Sequence, residues 1–167
     1  MIRLARIEDL KNIMVVIEDA RQQLKENNSL QWNDGTGYPE ATDILNDLVA
    51  NKLFVYEDTK IKGCIVMIKG DEDYDRYDIW DKCEYYALHR IAVLKESAKE
   101  GIATSLIKHC ITEAKELPVR GDTHESNTAM IKTFEKVGFT YKGLIELSFS
   151  SGFNERNAYE YKKEDNY

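Results

Sequence analysis

Long apolar runs are missing from this sequence, and that absence sets the first limit on what the chain is. No uninterrupted one is longer than Cys64 to Ile68, far short of the roughly 20 residues that cross a bilayer. The opening MIRLARIEDL has no apolar stretch of the kind a secretory signal needs. Cysteine is scarce too: three residues, Cys64, Cys83 and Cys110, with no CxxC pair and no metal spacing to histidine. An odd, scattered set argues against a disulfide framework or a zinc site and for a reducing compartment, the cytoplasm. Positive charge is in deficit, 23 Lys and Arg against 30 Asp and Glu, with no basic stripe, so nucleic acid is not an expected partner. An acidic surface suits cationic small molecules or basic peptides instead. No GKS or GKT follows a glycine loop, which excludes a P-loop, and the lack of GxGxxG leaves a dinucleotide fold without support. No repeat and no tract rich in Pro, Gly or Ser interrupts the 167 residues, so residues 1–167 read as one domain.

What is present is a mixed α/β pattern. Ile2 to Arg6 alternates as a strand, and from Glu8 to about Glu26 apolar residues recur at helical spacing. Asn27 to Pro39 reads as a loop, and Glu40 to about Asn51 as a second helix. Leu53 to Tyr56 and Ile61 to Lys69 read as a hairpin turning at Glu57 to Lys60, followed by a charged connection from Gly70 to Lys82. Pro118 to Thr123 suits another strand. Ser126 is placed to cap a helix through Val137 that Gly138 closes. Phe139 to Leu144 and Asn157 to Lys162 read as closing strands, with Gly143 and Gly152 at turns.

The stretch between these halves carries the chemistry. Tyr85, Tyr86, Leu88, Ile91, Val93 and Leu94 suit a pleated strand; a polar loop follows from Lys95 to Glu100; after Gly101, Ile102, Leu106, Cys110 and Ile111 recur at helical spacing. Strand, loop, glycine, helix is how backbone alone builds an anion site. The first helical amides lack carbonyl partners and sit at the positive end of the dipole. Gly101 and Ala103 are small enough for a phosphate to approach.

In this order and with these residues the chain resembles the GCN5-related N-acetyltransferase (GNAT) superfamily over nearly its whole length. That family writes its pyrophosphate loop Q/R-x-x-G-x-G/A. The matching residues are Ala98, Lys99, Glu100, Gly101, Ile102 and Ala103, with Ala98 replacing the usual Gln or Arg. A second motif, an Asn, an aromatic seven residues on, then Gly-Phe, is matched by Asn127, Phe134 and Gly138-Phe139. The HRIAV strand, the THESN turn and the QW loop look like those of bacterial small-molecule members with undefined acceptors.

The resemblance implies an α+β fold around a mixed, mostly antiparallel sheet of about seven strands, in the order β-α-α-β-β-β-α-β-α-β-β. It implies acetyl-coenzyme A as donor, with no metal, and direct attack of a primary amine on the thioester. A backbone amide within Ile91, Ala92 and Val93 would meet the charge on the thioester oxygen, and the loop from Ala98 to Ala103, with Asn127 and Phe134, would hold the coenzyme. A lysine-like amine of pKa about 10.4 is free base in about one molecule in two thousand at neutral pH, a cost of about 4.6 kcal/mol, so a base is useful. His89 is the first candidate, His124 the second and Glu84 the third. Many relatives carry a tyrosine as acid where this chain has Phe134; Tyr141 is the available substitute.

Trp32, Tyr38 and Tyr85 are the expected walls of an acceptor pocket. The acid-rich connection holding Asp71, Asp73 and Asp75 resembles the start of an EF-hand. Arg76 at the glycine position and Lys82 at the closing glutamate position reject calcium, leaving a solvated loop or a lure for a cationic acceptor. The reading is a cytoplasmic N-acetyltransferase for a small amine, with a homodimer the assembly considered and the oligomeric state left open. Its rivals are a non-catalytic coenzyme A sensor and an acetyltransferase for peptide or protein amines.

Overall fold

A computed structural model describes residues 1–148 and 154–164. In chain order the elements are β1 (Ile2–Leu4), α1 (Leu10–Glu26), α2 (Ala41–Val49), β2 (Leu53–Asp58), β3 (Lys60–Lys69), α3 (Glu72–Asp75), β4 (Tyr86–Val93), α4 (Ile102–Glu113), β5 (Val119–Thr123), α5 (Thr128–Val137), β6 (Thr140–Glu146) and β7 (Glu155–Tyr161). The strands form one seven-stranded sheet in the order β1-β2-β3-β4-β5-β7-β6, antiparallel except for the β4–β5 pair.

Alternation along β3 sorts two cores onto the two faces of that sheet. Cys64 and Val66 face α1 and α2, whose Ile13, Ile17, Ile44 and Leu48 bury against them. Ile65 and Met67 face α4 and α5, packing with Leu106, Ile107, Cys110 and Phe134. Gly63 lets α4 in close, since a Cβ there would lie 2.8 Å from Ile102 Cγ2.

Two irregularities of β4 set up the site. Its parallel register with β5 runs only from Tyr86–Val119 to Leu88–Gly121, so beyond Leu88 the two strands part. Against β3, Cys64 faces Ala92 while Val66 faces His89, which leaves one extra residue on β4 around Arg90 and Ile91. Arg90 takes φ +49° to make that bulge. It is held from α2: Asp47 Oδ2 and Oδ1 accept from Arg90 Nε and Nη2 at 2.7 and 2.8 Å.

Several local expectations are corrected. The connection from Gly70 to Lys82 is not a solvated loop: it contains α3 and drives Tyr74 and Trp80 into a third core with Tyr85, Ile145 and Leu147. The hairpin turn is tighter than Glu57 to Lys60, because β2 and β3 stay paired to Asp58–Lys60 around Thr59. Asn127, not Ser126, caps α5 by accepting from Met130 N, while the Ser126 hydroxyl bonds Ser29 and His124. Gly143 sits inside β6 at a register shift rather than in a turn. Gly152 lies outside the described residues.

Candidate active site

Two cavities meet over the β4 bulge, one of about 540 Å³ and one of about 290 Å³, and they share Gln31, Trp32, Ile91, Asn127 and Met130 as common wall. A group lying in one can therefore touch a group in the other beside Ile91.

The larger cavity occupies the gap that opens where β4 leaves β5. Ile91, Ala92 and Val93 form one side, and Ala98, Lys99, Gly101, Ile102 and Ala103 the start of α4. Gly101 is the N-cap of α4 at φ +71°, no side chain caps that helix, and a Cβ at Gly101 would meet nothing within 4 Å. The opening of the helix is thus a cradle of backbone amides with room in front of it. Lys132 and Lys136, a turn apart on α5, bring cations to the opposite wall. Gln23 on α1 occupies the Val93 carbonyl with its Nε2, 2.8 Å away, which holds the free end of β4 in place. A diphosphate with a long thioester arm fits this donor set: amides and ammonium groups at the helix end, then apolar strand toward the bulge.

The smaller cavity is built around His89. Its Nε2 lies 2.7 Å from Asp71 Oδ2, and its Nδ1 4.0 Å from Asp122 Oδ2. Asp71 is itself held rigidly. Its carboxylate accepts from Asp73 N at 2.9 Å to cap α3, and its backbone N–H donates to the Tyr85 hydroxyl at 2.8 Å. Burial pushes the Asp71 carboxyl up, but the hydrogen bond and charge of His89 outweigh it and hold the group below the usual carboxylate range. Asp122 is different: burial wins there and its carboxyl is raised, in spite of His89, the Tyr74 hydroxyl that donates to it, and Arg156, whose Nε is 3.7 Å from Oδ1. Tyr38 closes another side, its phenol raised by burial against the pull of Arg90, whose Nη1 donates to it at 2.5 Å. Among the described residues no group of three or more His, Cys, Asp or Glu is arranged to hold a metal ion.

Most of the residues expected from the sequence fall on one cavity or the other, with Trp32, Ile91 and Asn127 on their common wall. Ile91, Ala92, Val93, Ala98, Lys99, Gly101, Ile102, Ala103 and Asn127 line the larger cavity; Trp32, Tyr38 and His89 line the smaller. Glu100 points away to Lys62 at 3.3 Å. Phe134 is enclosed in the core, stacked on Tyr159 and packed over Gly121, and reaches neither cavity. Tyr85 does not line the smaller cavity but holds Asp71 from behind. Glu84 is exposed and pairs with Lys69, and Tyr141 is exposed on the edge strand against Tyr159. His124 orders its turn: Nδ1 accepts from Ser126 N at 3.1 Å, and burial, then Arg156, lowers its pKa.

Sequence reasoning missed Asp71 as distinct from its acidic neighbours, and it missed Asp122, Arg156, Gln31 and the two lysines of α5. Gln31 Oε1 gathers Thr123 Oγ1, His124 N and Asn127 Nδ2 at 3.1, 3.1 and 3.3 Å, tying the QW loop to the ends of β5 and α5. For Asp122 a signal existed: a carboxylate in the middle of a short strand, VRGDT, demands a partner.

A strand that splays at a bulge, a helix opened by a bare glycine, and a second cavity meeting the first beside that bulge define a transferase cleft for two ligands. The profile of the acetyltransferase (GNAT) family matches residues 17–139, and the chain belongs to that family. Among solved structures, a GNAT-family acetyltransferase of Streptococcus agalactiae is 32% identical, with TM-score 0.88 over 99% of this chain and 96% of that one. A GNAT-family acetyltransferase of Listeria monocytogenes shares the fold at 21% identity and TM-score 0.74, over 98% and 94% of the two chains. An N-acetyltransferase of Staphylococcus aureus does so at 20% and 0.67, over 96% and 100%. No curated protein matches the chain. The seven-stranded α+β architecture expected from the sequence is the family's, and membership implies the use of acetyl-coenzyme A. No helix among the described residues is long and apolar enough to cross a membrane.

Proposed function

We propose that this protein, as one domain, acetylates the primary amine of a small molecule, with the acceptor in the smaller cavity and acetyl-coenzyme A in the larger. The observation that carries this reading is the placement of His89. With Nε2 committed to Asp71, the proton-accepting nitrogen is Nδ1, and the ring stands two residues from Ile91, where the cavities join. Bound acetyl-coenzyme A supplies the thioester carbonyl that the amine attacks.

The chain does the rest. Asp71 orients the imidazole and balances the charge it acquires, the role a carboxylate plays behind a catalytic histidine. Nδ1 takes a proton from the acceptor ammonium, which leaves a nucleophilic amine. The amides of Ile91 to Val93 face charge developing on the carbonyl oxygen, and Gly101 to Ala103, with Lys99, Lys132 and Lys136, hold the phosphates. Phe134 has no proton to give, and Tyr141, exposed on the edge strand, lines neither cavity. A thiolate whose conjugate acid has pKa about 8.5 departs near neutrality with little help. Asp71, Asp73 and Asp122 in the acceptor cavity favour a cationic acceptor. Free thiols at Cys64, Cys83 and Cys110 agree with a cytoplasmic setting.

The test is thiol release from acetyl-coenzyme A across a panel of small amines and peptides. His89→Ala should cost about 100-fold or more at pH 7 and much less at pH 9, where more of the amine is already free base. Equal losses at both values remove His89 from the mechanism. Binding with no amine-dependent release identifies a sensor, and release with peptides alone identifies a peptide acceptor.

A further inference from the structure

The segment between β3 and β4 places one more group behind the wall of the acceptor cavity, against Asp122, than the proposed mechanism uses. Tyr74, on α3, is fully buried, and its hydroxyl donates to Asp122 Oδ2, the oxygen that faces His89 Nδ1. Its ring is walled in by Trp80 at 5.0 Å, Tyr85 at 6.4 Å and His89 at 5.8 Å between centroids. Trp80 Nε1 donates to the Tyr74 carbonyl at 3.0 Å, so backbone and ring are both fixed. Packing does not account for this pair. Burying a phenol and a carboxylate together costs stability, and phenylalanine would fill the same space without that cost.

We propose that Tyr74 is a positioning residue for proton transfer: by pinning the Asp122 carboxylate opposite Nδ1, it makes the imidazolium of His89 lie between two carboxylates. The inference rests on the reading of His89 as base. In the step concerned, an N–H bond of the acceptor ammonium breaks and an Nδ1–H bond forms. The Nε2–H bond to Asp71 persists throughout, and the positive charge passes from substrate to imidazole. Asp71 offsets that charge on one side and Asp122 on the other. The other charged or titratable groups facing this cluster are Tyr85, which meets Asp71 and donates to Asp75, Arg156 beside Asp122, Arg90 paired with Asp47, Tyr38, and Asp73 paired with Arg76. None of these donates to Asp122 Oδ2 as Tyr74 does. Loss of the Tyr74 hydroxyl leaves a buried carboxylate short of a donor, so a proton settles on Asp122 instead of on His89.

The experiment is an NMR titration of the imidazole nitrogens in the whole, ligand-free protein, with the His89 signals assigned by their loss in His89→Gln. It needs no acceptor, so it separates failure of this inference from failure of the base assignment, which the pH dependence of thiol release decides. Asp122→Asn should lower the His89 midpoint by about one to three pH units, the effect of an opposite charge at this range. Tyr74→Phe should lower it by about one unit, equivalent to one hydrogen bond to a charged group. The double variant should go no lower than Asp122→Asn alone, because Tyr74 acts through Asp122. An unchanged or raised midpoint in Tyr74→Phe, or additive shifts in the double variant, overturns the proposal. An unchanged midpoint in Asp122→Asn overturns it whether or not Tyr74→Phe folds.

Discussion

Arg90 on the bulged strand and Asp47 on α2 form a two-pronged ion pair at 2.7 and 2.8 Å, and it is this pair that holds the bulge to the helical layer. Asp47 is almost wholly buried. Removing one partner of such a pair strands the other charge away from water. Asp47→Ala should therefore cost about 3 kcal/mol of unfolding free energy in a urea titration. It should also lower thiol release, since Arg90 lines the smaller cavity, where the acceptor is proposed to sit. A loss under about 1 kcal/mol would show the pair to be solvated.

Gly101 predicts a separable effect on coenzyme affinity. At φ +71° a β-branched side chain is strained, and it would project into the open space before the helix amides. Gly101→Val should cost about 1–2 kcal/mol of stability and weaken acetyl-coenzyme A in calorimetry by about tenfold or more. Gly101→Ala should fall between. Unchanged affinity in both would move the diphosphate elsewhere.

Asp71 predicts a pH dependence of stability. Its folded carboxyl lies below the usual range because the His89 hydrogen bond outweighs burial. The unfolded chain, with a value of about 3.9, then binds more protons in the window just below that value, and stability rises with pH through it. Asp71→Asn should cost about 1.5–3 kcal/mol near neutrality, with the gap to the native protein closing as pH falls below about 3.9. A gap independent of pH between 2 and 7, followed by chemical denaturation, contradicts this.

The cysteines predict how the protein behaves toward thiol reagents. Burial pushes the thiols of Cys64 and Cys110 up to about 12, whereas Cys83 is exposed beside Arg120 Nη2 at 3.7 Å. At pH 8 a disulfide reagent should modify Cys83 alone in the folded protein and all three in denaturant. Mass spectrometry of the adducts decides, and the Cys83→Ser variant gives a clean background for thiol-release assays.

Much of the fold was legible in the chain because its rules are local. Alternation in CIVMI sorted β3 onto two faces, helical spacing after Gly101 marked α4, and Gly138 closed α5. The uncapped start of α4, where the coenzyme is proposed to bind, was legible for the same reason: a helix opened by a glycine presents its amides whatever surrounds it. The connection from Gly70 to Lys82 was misread because its charges suggested solvent, while its aromatics were destined for a core made by β6 and β7, some 70 residues away.

By itself the sequence determined the order of the strands, the family, and the glycine-opened start of α4 at Gly101, since each depends on residues adjacent along the chain. Only the tertiary structure decided which carboxylates lie beside His89. Asp71, Asp122 and Tyr74 come from two separate segments, and nothing in their spacing distinguishes them from Asp73, Asp75 or Tyr77. Their chemistry arises from burial and from distance to His89, and both are set by packing across the sheet.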